Sequence, residues 1–343
     1  MTPTRPLTFV VGTGRTGSTA LSQLLNHHPD VLSLNELFAA VGGERALPRG
    51  PLSGAQFWRL LAEPNAAFDE MIRLGAGLPE FLYPRSPGRF SAETGIPAIC
   101  MMTLPHLVED PDRLFDDLAA EIGSWPQRSA AEHYTALFAH LADQTGASVV
   151  VERSGHSVGW IPALREAFPT ANFVHMHRNG PDCALSMSRH NGYRTAVLAN
   201  EVLAHAKVTG FAELTDEHIR RLPDDLAALC TQGFVRGLTP ARELPLARFG
   251  DLWSAMVAAG VQALGDLPDN RCLSLSYDEL VRSPRESLTG LASFLGVEAT
   301  ASWLEAGSGL LTPARSGAAA ALPADELAAV RRACAPGVHA LSG

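Results

Sequence analysis

Lysine is nearly missing from this 343-residue chain: Lys207 is the only one, so arginine carries almost all of the positive charge. Any cationic role in catalysis therefore falls to Arg or His. Positive charge is also in deficit, with 27 basic against 36 acidic residues and a net charge of −9. That balance argues against nucleic acid as a partner, since nucleic-acid binders present a basic face. A phosphate-rich ligand has to be met by a local basic focus instead. The five cysteines (Cys100, Cys183, Cys230, Cys272, Cys334) are scattered, odd in number and form no CxxC pair. They argue against a disulfide framework or cysteine zinc site and fit a reducing compartment. No apolar run approaches the roughly 18 residues of a membrane span, and the first apolar run stops at Gly12, short of a secretory signal core. A cytoplasmic protein without a transmembrane segment is expected.

What remains is a core-forming composition, 46% apolar and 18% charged, enough for one large domain over 1–343. Compact β-prone runs at Leu7–Val11, Val31–Leu34, Ser148–Glu152, Asn172–Met176 and Arg271–Tyr277 alternate with helical stretches at Ser18–His28, Val158–Phe168, Pro181–Arg189, Thr195–Gln232, Pro284–Leu295 and Ala324–Ala333. Alternation of this kind predicts an α/β, P-loop-like three-layer fold with a central, mainly parallel sheet of about five strands. Between 41 and 147 the pattern changes to short helical segments, at Gln56–Ala62, Ala66–Leu74 and Ala130–Gln144, separated by Pro/Gly-rich connections. This region reads as a mostly helical cap or insertion on the acceptor side.

Phe9-Val-Val-Gly12-Thr-Gly14-Arg15-Thr16-Gly17-Ser18-Thr19-Ala-Leu21 runs from an apolar strand through a glycine-rich turn into a helix. Backbone N–H groups and a helix N-terminus make such a turn an anion site. Two chemistries fit it. Gly12-x-Gly14-x-x-Gly17 is a dinucleotide fingerprint, and Glu36, 19 residues past Gly17, stands where a ribose-binding acid belongs. That reading gives Arg15 no role. A kinase-type P-loop fails because no Gly-Lys-Ser/Thr follows. Two further features fall after predicted strands and so on the same sheet edge: Asn35-Glu36, and His177-Arg178-Asn179-Gly180.

Taken together, these segments resemble the PAPS-dependent sulfotransferases, particularly their bacterial and tyrosylprotein-type branch. Gly12–Leu21 is similar to that family's 5′-phosphosulfate loop. His28-Pro-Asp-Val31 leading into Glu36 is similar to the element that carries the branch's catalytic carboxylate. His177-Arg178-Asn179-Gly180-Pro181-Asp182, with Ser186 eight residues beyond Arg178, resembles the 3′-phosphate motif. Ser276-Tyr277-Asp278-Glu279-Leu280-Val281, Pro284 and Phe294-Leu295-Gly296 resemble the late strand–helix segment, and Glu152-Arg153-Ser154 echoes a Glu-Lys-Ser/Thr stretch.

The resemblance implies transfer of a sulfonate from PAPS to a hydroxyl of a small-molecule or lipidic acceptor, with no metal. It implies a 5′-phosphate held by Gly14, Arg15, Thr16, Gly17, Ser18 and Thr19, with Arg15 neutralising the leaving phosphate where many relatives carry Lys. Arg178 and Ser186 are expected at the 3′-phosphate, completed by Arg189 or His190, with Arg189 preferred. Tyr277 is expected on the adenine and Arg315 as a late clamp. Glu36 is the expected general base; were it paired to an arginine, His106, His156 or His177 would take that place. Trp160, Trp253 and Trp303 read as core. An NAD(P)-dependent oxidoreductase and a non-catalytic nucleotide-binding relative are the alternatives. The oligomeric state stays open, a homo-oligomer included.

Overall fold

Strand β1 (Leu7–Gly12) is apolar on both sides because both of its faces are covered. A computed structural model of the chain describes residues 5–86, 88–233, 243–311 and 316–342. In it β1 lies at the centre of a five-stranded sheet with β2 (Val31–Asn35), β5 (Val149–Arg153), β6 (Asn172–His177) and β7 (Cys272–Ser276), in the order β2-β5-β1-β6-β7. Every pairing is parallel, with Leu7 opposite Val150, Leu32 opposite Val150, Phe9 opposite Phe173 and Val174 opposite Leu273. The residual pair β3 (Pro51–Leu52) and β4 (Arg128–Ser129) is a small antiparallel ribbon outside this sheet. The five expected strands are all present and only their ends shift; Tyr277, read as the last strand residue, begins a helix instead.

Alternation along β1 divides the core. Phe9 and Val11 point into a cluster with Leu32, Leu34, Phe38, Phe57, Ile99 and Leu137, contributed largely by the helices between 37 and 145. Val10 points the other way, to Leu21, Leu24, Val174, Leu291 and Trp303. Sheets buried on both faces select such continuous runs of Val, Leu and Phe. The helical segment between β2 and β5 thus packs directly on one sheet face. It holds Gly54–Ala62, Ala66–Arg73 and Ala130–Thr145 as expected, together with Ala98–Met102, Leu104–Leu107 and Pro111–Ile122.

Three helical readings need correction. The long helix expected from Thr195 to Gln232 is broken into Asn191–Ala206, Asp216–Arg220 and Asp224–Gln232, because Pro223 and the glycine at 210 interrupt it. A 19-residue helix, Leu246–Leu264, lies where none was expected, and packs against the C-terminal helix Ala324–Ser342. That last helix runs on past Pro336 rather than ending at Ala333. No helix among the described residues is long and apolar enough to cross a membrane.

Candidate active site

The ends of all five strands converge on one cavity of about 370 Å³, as ligand sites do in open parallel sheets. The turn after β1 is shaped by Gly14 (φ 71°) and Gly17 (φ 84°). A Cβ on Gly14 would lie 1.9 Å from the Tyr193 hydroxyl, and one on Gly17 would lie 2.1 Å from the Tyr277 ring. Only glycine fits either place. Gly17 caps the helix Ser18–Asn26, whose first internal bond runs from the Leu21 N–H to the Gly17 carbonyl at 3.2 Å. The N–H groups of Ser18, Thr19 and Ala20 therefore precede the helical ladder, as anion-binding N-termini require.

Among the described residues, four that are not glycine have positive φ: Arg15, Glu36 and His156 at 57°, and Lys207 at 56°. The first three line this cavity. Each ends or follows a strand (β1, β2 and β5), and each backbone there costs about 1–3 kcal/mol relative to ordinary geometry. Strain is concentrated around this cavity.

Glu36 is 5% exposed and Arg153 1%. The Arg153 guanidinium donates to Glu36 Oε1 and to Asn35 Oδ1, while the Gly155 N–H donates to Glu36 Oε2 at 2.9 Å. Burial raises the Glu36 pKa above its ordinary value, against the pull of Arg153 and the Gly155 N–H, with Glu80 adding to the rise. Next to it, burial lifts Glu152 to about 8, opposed by its hydrogen bond from the Ser154 hydroxyl (2.7 Å) and supported by the Glu36 charge.

Arg15 donates through Nη1 to Glu80 Oε1 at 2.7 Å and through Nε to Ser186 Oγ at 3.2 Å. Glu80 also lies 3.2 Å from His190 Nε2. Burial opposes ionisation of Glu80, but the His190 hydrogen bond and the charges of His190 and Arg15 hold its pKa below the usual carboxylate value. The Gly192 N–H donates to His190 Nδ1 at 3.2 Å, which leaves Nε2 as the proton-bearing atom toward Glu80.

Arg178, buried at the end of β6, donates to the Arg15 carbonyl at 3.4 Å and lies 5.2 Å above the Tyr277 ring. It lines the main cavity with Ser186, and both also line an adjoining cavity of about 480 Å³ that Arg189 enters. His190 borders both.

The structure thus gathers Gly14, Arg15, Gly17, Ser18, Thr19, Glu36, Arg178, Ser186 and Tyr277 round one space. Thr16 is fully buried and turns its hydroxyl into the protein, where that atom has no partner among the described residues, so only its backbone is left for the turn. Arg189 faces the adjoining cavity, and Arg315 lies outside the described residues. Of the three substitute histidines only His156 lines the cavity. Its ring opens to the cavity yet is hemmed in by protein, and burial lowers its pKa. His106 sits in a separate pocket, 3.3 Å from Ser22 Oγ, its pKa lowered by burial to about 4. His177 faces Ser274 Oγ at 3.1 Å, away from the site. Glu80 and Tyr193 were missed. Tyr193 donates to the Thr13 carbonyl at 2.6 Å and packs edge-on to His156 and His190, with no motif around it in the sequence. Among the described residues no cluster of His, Cys, Asp and Glu could hold a metal.

A family model described as the sulfotransferase family matches residues 6–66 and 94–216, more than half of the chain and both phosphate motifs. The chain belongs to the sulfotransferase family. Sulfonate transfer is accordingly its chemistry, and the dinucleotide reading of Gly12-x-Gly14-x-x-Gly17 gives way. Solved structures similar to this sulfotransferase include the sulfotransferase domain from the Synechococcus PCC 7002 olefin synthase, at 17% identity over 96% of this chain and 93% of that one, TM-score 0.47. The sulfotransferase domain from the curacin biosynthetic pathway is similar at 14% identity over 93% and 83%, TM-score 0.45. A Mycobacterium avium sulfotransferase is similar at 18% over 96% and 76%, TM-score 0.42. A search of curated proteins finds no match.

Proposed function

We propose that this sulfotransferase moves a sulfonate group from PAPS to a hydroxyl of a small-molecule or lipidic acceptor, in the cytoplasm. The observation that carries the reading is the pairing of two anion sites on one sheet edge. One is the Gly14–Thr19 turn with its open N–H groups; the other is Arg178 with Ser186, between the two cavities. A nucleotide with phosphates at both ends needs two such sites.

The reaction is an in-line displacement at sulfur. The acceptor oxygen forms a bond to sulfur as the bridging S–O bond to the 5′-phosphate breaks, and the hydroxyl proton goes to a base. Positioning and charge stabilisation dominate such transfers. The N–H groups of Ser18 and Thr19 hold the 5′-phosphate, and Arg15 neutralises charge growing on the bridging oxygen. Arg178 grips the 3′-phosphate with its planar fork, Ser186 adds a hydroxyl, and Arg189 closes from the adjoining cavity. Glu36 takes the acceptor proton, and its raised pKa makes it a stronger base than an exposed carboxylate. Phe68, Leu78, Met102 and Trp160 give the same cavity an apolar side, which suits the carbon skeleton of a neutral acceptor. One observation favours a second base: Glu36 is held by Arg153, whereas His156 opens to the cavity and its lowered pKa keeps the imidazole neutral.

The donor is tested by thermal shift of the full chain. PAP, the desulfonated form of the donor, should raise the melting temperature, and NAD(H) or NADP(H) should not. Stabilisation by the dinucleotides alone would sink the reading.

A further inference from the structure

Three carboxylates line the two cavities, and they are held in different ways. Glu36 is fixed by Arg153 and a backbone N–H. Asp182 accepts the N–H groups of Gly317 (2.6 Å) and Ala319 (2.8 Å). Glu80 is held by Arg15, by His190 and by its own backbone N–H. The first two belong to the sheet edge and its following helix; Glu80 comes from the helical segment between β2 and β5.

Its carrier is a short strap, Gly77-Leu78-Pro79-Glu80, that follows Gly75 (φ 69°). On one side the Asn191 amide donates to the Ala76 carbonyl at 3.3 Å; on the other Phe81 is buried and the Leu82 N–H donates to the Met101 carbonyl at 3.0 Å. Leu78 borders both cavities, with Glu80 in one and Gly77 and Pro79 in the other. The strap therefore runs along the boundary between the two spaces that the 5′ and 3′ ends of the donor would fill. At that boundary Glu80 engages Arg15, and Arg15 in turn engages Ser186. Two groups assigned to the donor's two phosphate ends are satisfied by each other and by one internal anion.

We propose that Glu80 is a built-in counter-ion that occupies Arg15 in the empty enzyme and is displaced by the 5′-phosphosulfate, freeing the Gly77–Glu80 strap as the donor enters. The proposal rests on the donor reading above. Arg15, Arg178 and Arg189 come together around the two cavities, where Asp182 lies 3.9 Å from Arg178 and Glu80 lies 2.7 Å from Arg15. Glu80 is thus the carboxylate that offsets the charge of Arg15. The cost is a competitor for Arg15, which lowers the apparent affinity for both donor and spent nucleotide, because only the released state binds. Once the sulfonate has left, return of Glu80 to Arg15 assists departure of the product nucleotide.

The test is calorimetric titration of PAP into the wild-type chain, Glu80→Gln and Glu80→Ala. Both variants should bind about tenfold more tightly, the expected loss of a competing ion pair. Equal or weaker binding by the variants, with wild type binding normally, overturns the counter-ion and leaves the donor reading standing. Failure of folded wild type to bind PAP at all removes the donor reading first and this proposal with it. Hydrogen exchange on wild type gives a readout free of any substitution: amides of 75–82 should exchange faster with PAP bound, and unchanged or slower exchange counts against release of the strap.

Discussion

The site holds two Arg–Glu pairs that look alike in sequence and differ in what they are for. Arg153 and Glu36 are 2% and 6% exposed at the side chain and stand on neighbouring strand ends, one immediately after β2 and one closing β5. Arg15 and Glu80 are 25% and 16% exposed and join the phosphate loop to a strap from another layer. Fully buried pairs cannot part without leaving an uncompensated charge, whereas pairs that reach a solvent-filled cavity exchange partners at smaller cost. The first pair is architecture that also presents the proposed base. The second is a contact made to be traded.

Five substitutions sharpen or break this contrast. Glu36→Gln should reduce sulfonate transfer by about 100- to 10,000-fold while leaving the thermal shift by PAP intact. Glu36 must be deprotonated to act and its pKa is raised by burial. Transfer by the wild type should thus fall as pH drops through a value above the ordinary carboxylate range, and rise again as pH increases through it. If that limb follows His156→Gln instead, His156 is the base and Glu36 only structural.

Arg153→Ala should cost about 3–5 kcal/mol of unfolding free energy, read by urea denaturation, because it strands Glu36 in the interior. Arg15→Ala should cost no more than about 1 kcal/mol. Equal losses would erase the distinction between the two pairs. Arg178→Ala should weaken PAP by about 10- to 100-fold, as loss of a charged hydrogen bond does. The 3′-dephospho analogue should be almost unaffected; a parallel loss for both nucleotides would mean that Arg178 does not read the 3′-phosphate.

The strand ends were legible because each strand is a short run of β-branched and apolar residues that only a doubly covered sheet selects. Arg15, Glu36 and Arg178 follow such runs directly, so the sequence places them on one edge. Glu80 was not legible. It reaches Arg15 across 65 residues of chain from a Gly/Pro-rich connection with no periodicity of its own. The partner of Glu36 was similarly hidden, since β5 lies beside β2 only through a crossover longer than 100 residues. Leu246–Leu264 was hidden because its buried face includes Gly250, Ser254 and Gly260 while its exposed face carries Ala255, Ala258 and Ala259, which evens out the apolar contrast between the two. The direction of a side chain was not legible either: Thr16, inside the turn motif, points its hydroxyl into the protein.

Strand order carries one last consequence. Glu36 follows β2, Arg153 ends β5, Arg15 follows β1 and Arg178 follows β6, four consecutive positions across the sheet. Neighbouring strands are about 4.8 Å apart, so Glu36 and Arg178 stand on a ruler of roughly 14 Å with three fixed divisions. Exposed loops between 41 and 147 can be lengthened or swapped without moving a mark on it, so long as the apolar face that covers the sheet is kept. On the proposed reading a change of acceptor is then written in the cover, while the spacing of the strand ends stays engraved in the sheet.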